Sequence, residues 1–177
     1  MSKIKNIIFY NEDIRPLLKE RTLTNDELLI IRHKDWTEHK VQSAAKVMFE
    51  NLDREMQARK LGEVFFYQID NGATNSMKRI FKSQEGTVGG MPDGAILLYN
   101  NKTKQNKTIF IEFKRVGAKV NIEGNCKTKS GMITYKRYQR QLAVHERLRR
   151  MGFSVHLTNN LVYCEKVICK EIKEFIK

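Results

Sequence analysis

Residues 109 to 115 read IFIEFKR, a run in which an acid and a lysine interrupt apolar branched and aromatic side chains. Successive side chains of a strand point to opposite faces, so Glu112 and Lys114 share one face while Ile111 and Phe113 share the other. The apolar face belongs in a core. The other face holds a carboxylate next to an ammonium.

Neighbours for this strand are legible upstream. VFFYQID is dense in aromatic and branched residues and ends on the turn signal Asp70-Asn71-Gly72. Ala95 to Tyr99 reads as a strand, Asn100 to Lys107 as a polar turn region and Thr108 to Lys114 as a second strand, so a hairpin is predicted. SVHLT, residues 154 to 158, is a further strand. Helical spacing runs from Thr24 or Asp35 to about Ala58, with Val41, Ala44, Ala45, Met48 and Leu52 on one face. A second helix is expected from a Thr134 cap to about Met151, with Tyr138, Leu142, His145 and Leu148 on one face and Gly152 as the stop. VYCEKVICKEIKEFIK closes the chain as an amphipathic helix. Two basic, glycine-containing stretches read as loops: Gly72 to Gly90, which ends on Gly89-Gly90, and Gly117 to Gly131. Residues 1 to 24 mix a short apolar run with a helical turn interrupted by Pro16.

The order helix, three strands, helix, strand, helix predicts an α/β fold. A mixed central sheet of four or five strands is flanked by the Glu38 helix and the Gln141 helix, with the site at one sheet edge. The 177 residues suit one core. They form a single domain, with an N-terminal extension at 1–34, the core at 35–165 and a C-terminal helix at 166–177.

Charge narrows the partner. Thirty-three basic residues against 20 acidic ones leave +13, well beyond what solubility asks for, so a polyanion is expected. Nucleic acid outranks a membrane, because no segment approaches the roughly 20 apolar residues of a span. No secretory cleavage site follows the start, so a cytoplasmic location is expected. Cys126, Cys164 and Cys169 form neither an even set nor a CxxC pair, and reduced structural thiols are the default. His33, His39, His145 and His156 show no metal-ligand spacing.

Hydrolysis of a phosphodiester needs a cation to offset charge on the phosphoryl oxygens and a water made nucleophilic near neutral pH. Magnesium prefers oxygen ligands and keeps several waters, so two carboxylates and a backbone carbonyl suffice. Asp93, after Pro92 at the start of one strand, and Glu112 on the next meet that need. Lys114 would stand beside the attacking water, to orient it or to stabilise developing charge.

GGMPDGAILL followed by IEFKR resembles the PD-(D/E)xK nuclease signature, as Pro92-Asp93 and Glu112-Phe113-Lys114. Within that superfamily the chain is most similar to the VRR-NUC group, which has a glycine before PD, then ExK, then a helix with a glutamine. Gln141, Leu148 and Gly152 match that helix, and Glu38 and Gln42 match the family's early helix; the likeness covers about residues 36 to 160. It implies a restriction-endonuclease-like fold in which Asp93, Glu112, the Phe113 carbonyl and Glu38 bind Mg2+, with Mn2+ as a substitute. Lys114 would position the attacking water, and Gln141 would bond the scissile phosphate or fix Lys114. Such domains occur as stand-alone nucleases that resemble Holliday-junction resolvases. The resemblance therefore implies a metal-dependent DNA endonuclease selective for branched DNA, for which a homodimer gives two symmetric cuts. The alternatives are a restriction-like or flap- and end-processing repair nuclease, or a DNA-binding module that does not cut.

Three readings remain open at the level of sequence. Glu38 also fits a capping box, Asp35-Trp-Thr-Glu38, in which it would only bond the helix's opening amide. The helix carries Gln139 as well as Gln141. Lys78, Arg79, Lys82, Arg115, Lys127, Lys129, Lys136, Arg137 and Arg140 form a solvated surface or, as their few acidic partners suggest, contact phosphates, in which case DNA binding falls steeply with salt.

Overall fold

The computed structural model describes residues 36–69, 89–114 and 129–177. The N-terminal extension, the Asp70-Asn71-Gly72 turn, most of the two basic stretches, and Lys78, Arg79, Lys82, Arg115 and Lys127 lie outside the described residues, as does the side chain of Lys129.

Helix α1, Glu38–Ala58, starts at Thr37, whose hydroxyl accepts from the Lys40 amide at 3.3 Å. The cap corrects the capping-box reading. With Thr37 at the N-cap, Glu38 is the first helical residue and Lys40 occupies the third position, where a reciprocal glutamate would sit. α1 buries Val41, Ala45, Phe49, Leu52 and Met56. Ala44 and Met48, expected on that stripe, lie half-buried at its margin, because the spacing of four, four, three and four centres the face on Phe49. Asp53, on the turn before the last, accepts from the Val64 amide at 2.7 Å and so ties α1 to the following strand.

Strands β1 (Gly62–Gln68), β2 (Gly94–Asn100), β3 (Asn106–Phe113) and β4 (Ser154–Thr158) form one sheet in chain order. β1 pairs antiparallel with β2, and β2 with β3, whereas β4 pairs parallel with β3. The fold is therefore α/β with a mixed four-stranded sheet. The β2–β3 hairpin turns on buried Asn100. Its side-chain oxygen accepts from the Lys102 and Thr103 amides at 2.9 and 3.0 Å, and its amide donates to the Phe175 carbonyl.

Helix α2, Lys129–Arg150, carries the chain from β3 to β4. It begins five residues before the Thr134 cap that the sequence suggested and takes in Gly131. A helix of 22 residues has enough other hydrogen bonds to absorb the roughly 1 kcal/mol that one glycine costs. It stops at Gly152, whose φ of 89° reverses the chain. The C-terminal rod α3 spans 161–176 as a helical turn Leu161–Tyr163, a π turn Cys164–Ile168 and a helix Cys169–Ile176. The helix read over VYCEKVICKEIKEFIK is thus present with a π turn inside it, and the segment boundary drawn at 166 falls within it.

Pleating divides the sheet into two faces. Ile96, Leu98, Ile109, Ile111 and Phe113 join Phe49 of α1 and Ile168, Ile172 and Ile176 of α3 in one buried cluster. Cys164 and Cys169 lie in it unbridged, their thiols pushed up by burial to about 12 and about 11, as expected of inert structural cysteines. On the opposite face Glu112 meets α2.

Candidate active site

Asp93 and Glu112 are brought together by strand register. The β2–β3 ladder ends at Gly94 opposite Ile111, and one further step sets Asp93 across from Glu112 on the same face. Two backbone hydrogen bonds hold Asp93 there: its side chain accepts from the Phe113 amide at 2.8 Å, and its carbonyl accepts from the Ile69 amide at 2.9 Å. Local sequence permits this approach. A Cβ on Gly94 would lie 2.7 Å from the Phe66 ring, so glycine lets β2 close on β1 beside Asp93. Gly90, at φ 93°, lets the preceding turn rest on the α2 backbone, where a Cβ would stand 3.2 Å from the Arg140 carbonyl oxygen and the Gln141 Cα. The site lies at one end of β2 and β3, which are the two inner strands. The expected position at a sheet edge is corrected, because β4 adds beyond β3 and places Glu112 within the sheet.

Glu112 is fully buried, with two donors on one of its oxygens. Its Oε1 accepts from the Lys114 ammonium and from the Gln141 amide. Lys114 is held in turn by its own backbone, which donates to the Thr158 carbonyl at 2.8 Å. Gln139 is exposed, so of the two candidate glutamines Gln141 faces the acid. Residues one or two positions apart point to different sides of a helix.

Burial, reinforced by the charge of Asp93, pushes Glu112 up to about 7 against the opposing pull of Lys114 and Gln141. Burial pulls Lys114 down, but Glu112, Asp93 and Glu38 outweigh it and hold the ammonium above its ordinary value. Glu38 is exposed as a residue, yet its carboxyl lies against enough protein for desolvation to raise it, and the charges of Lys114 and Asp93 both act on it. The structure thus brings Glu38, Asp93, Glu112, Lys114 and Gln141 into one neighbourhood. Tyr138, read from sequence on one helical face with Leu142, His145 and Leu148, is half-buried and near enough to Lys114 to feel its charge.

His145 was not among the candidates. It is buried one turn beyond Gln141, with Nε2 3.8 Å from Glu112 Oε2. Burial, with Arg149 and Lys114 adding to it, pulls the imidazole down to about 4, so the pair is not an ion pair near neutral pH. The signal available in the sequence was its spacing of four from Gln141 on one helical face.

Three carboxylates against one ammonium leave an excess of negative charge, and Asp93 raises both of the other acids. A divalent cation would relieve that repulsion. The donors are hard oxygens, which suit Mg2+ or Mn2+ better than zinc. Among the described residues no three His, Cys, Asp or Glu side chains form a metal-holding group on their own. A cation at Asp93 and Glu112 would therefore need the Phe113 carbonyl and water to complete its shell.

Lys136, Arg137 and Arg140 are exposed on α2. No helix among the described residues is long and apolar enough to cross a membrane. Compared with protein-family models, with curated proteins and with solved structures, the chain matches none.

Proposed function

We propose that the chain is a metal-dependent DNA endonuclease of the PD-(D/E)xK type, with a restriction-endonuclease-like core and a preference for branched DNA. The observation that carries this reading is the placement of Asp93 across from Glu112, with the Lys114 ammonium on the same carboxylate. Asp93, Glu112 and the Phe113 carbonyl would hold Mg2+ or Mn2+, which offsets charge on the phosphoryl oxygens and makes water nucleophilic near neutral pH. Lys114 orients the attacking water or stabilises charge that develops on the phosphate. Gln141 keeps Glu112 in place. Glu38, exposed at the start of α1, adds a third carboxylate, and the exposed basic residues of α2 supply phosphate contacts that hold the duplex. A homodimer would present two such sites to a junction.

The test is purified protein with Mg2+ on linear, flapped and four-way-junction DNA. Cleavage of the junction is expected, and cutting confined to ends or flaps would favour the repair-nuclease reading. Asp93→Asn and Lys114→Ala should each abolish cleavage while leaving binding in EDTA or Ca2+ intact. Undiminished cutting by either variant defeats the site assignment. Binding without any cleavage by the wild-type protein would leave a DNA-binding module.

A further inference from the structure

The two oxygens of Glu112 have unequal surroundings. Oε1 accepts from Lys114 and Gln141, whereas buried Oε2 has no hydrogen-bond partner among the described residues. Facing it at 3.8 Å is His145 Nε2, which is also buried and also without a partner among the described residues. That separation exceeds a hydrogen bond by only about half an ångström. Two polar atoms buried within reach of each other, and not joined, call for a reason. An apolar residue between Gln141 and Leu148 would pack there with no polar atom left over.

Helix geometry supplies the reason. Gln141 and His145 are one turn apart on α2, so both reach the same carboxylate from the same side, each toward a different oxygen. We propose that His145 is a positioning residue for Glu112: its Nε2–H closes onto Oε2 when the site takes a divalent cation, so that Gln141 and His145 clamp both oxygens. Each carboxylate oxygen has two lone pairs, and Oε1 already takes two donors, so the clamp leaves one acceptor position, on Oε2, and sets its direction. Small motion suffices, because α2 is already seated on Gly90 at the level of Gln141. The proposal rests on the nuclease reading for its need of a cation.

Mn2+ binding without DNA, followed by electron paramagnetic resonance, tests it on the full chain alongside thermal melting. His145→Leu removes the donor at similar volume. His145→Gln returns an N–H near the position of Nε2, and His145→Asn carries the same amide on a shorter arm. Leu and Asn are expected to weaken Mn2+ binding about 10–100-fold, and Gln to stay within about threefold of wild type, as for the loss and rescue of a group that orients a ligand. The melting points should not follow that order. Wild-type affinity in the Leu or Asn variant, or a Gln variant as weak as Asn, overturns the clamp. If the Leu variant does not fold, the Gln and Asn pair decides. A wild-type protein that binds no Mn2+ and cuts no DNA sinks the nuclease reading itself. A wild type that does both, with all variants matching its affinity, sinks only the role of His145.

Discussion

The Phe113 backbone amide donates to a carboxylate oxygen of Asp93 at 2.8 Å, across the gap between two strands that have just stopped pairing. Phe113 side-chain burial anchors that amide in the main core, on the far face of the sheet. The position of one acid is therefore set by the strand that carries the other. Whatever shifts the turn before Asp93, or the helix above it, should be felt as a change in the distance between the two carboxylates.

Gly90→Ala tests that coupling. The added Cβ meets the α2 backbone at Gln141 and forces a non-glycine residue to φ 93°. A cost of about 1–2 kcal/mol in stability is expected from the backbone conformation. Cleavage should fall by about tenfold or more, since sub-ångström misplacement of reacting groups is amplified in rate. Thermal melts and initial rates would separate the two effects, and a fully active, fully stable variant would contradict the packing of Gly90 on α2.

Gln141→Ala and Gln139→Ala should behave differently although they are two residues apart. The first removes a donor to buried Glu112 and should lower the cleavage rate about 10–100-fold. The second alters an exposed side chain and should leave the rate within about twofold. Equal losses in initial-rate measurements would mean that α2 presents a different face.

Glu112 links stability to pH. Its folded pKa, about 7, lies above its ordinary value of 4.5, so the folded state favours the protonated carboxyl. The resulting stabilisation is fully present below pH 4.5 and is lost as pH rises through 7, by an amount of order 3 kcal/mol. In metal-free buffer, Glu112→Gln should flatten this loss and melt higher than wild type at pH 8, while being inactive. Denaturant titrations at pH 5 and pH 8 check it; identical pH dependence in both proteins would refute the burial of an ionisable Glu112.

Glu171 acts in the opposite sense and away from the site. Its carboxylate accepts from Ser154 and Lys107 and faces His156 Nε2 at 2.8 Å, while His156 Nδ1 lies 2.9 Å from the Tyr163 hydroxyl. The bond with His156 leads in pulling Glu171 down to about 2. Its contribution is therefore present above pH 4.5 and disappears as pH falls toward and through 2. Glu171→Gln should destabilise the protein by about 1–3 kcal/mol at pH 7 and by progressively less in acid, as measured by chemical denaturation. An unchanged difference at pH 2.5 would show that ionisation of Glu171 contributes nothing.

Much of the fold was legible because it is encoded by short periods. Alternation from Ile109 to Lys114 marked β3 and placed Glu112 and Lys114 together, and the polar stretch after Asn100 marked the hairpin that sets Asp93 beside them. Less could be read where the deciding partner is remote. Thr37 caps α1, which frees Glu38 from a capping role, and no local pattern singles out Thr37 in advance. The start of α2 at Lys129 likewise overrides a local preference for a loop around Gly131.

What the sequence determined by itself was the set of elements and the shared strand face of Glu112 and Lys114, since alternation and turn chemistry act between residues a few positions apart. The tertiary structure alone decided that β4 joins β3 in parallel, that Gln141 and not Gln139 reaches Glu112, and that His145 stands behind it. Those choices depend on how α2 rotates and seats over the sheet. That rotation is a balance of packing between segments tens of residues apart, and no periodicity within either segment records it.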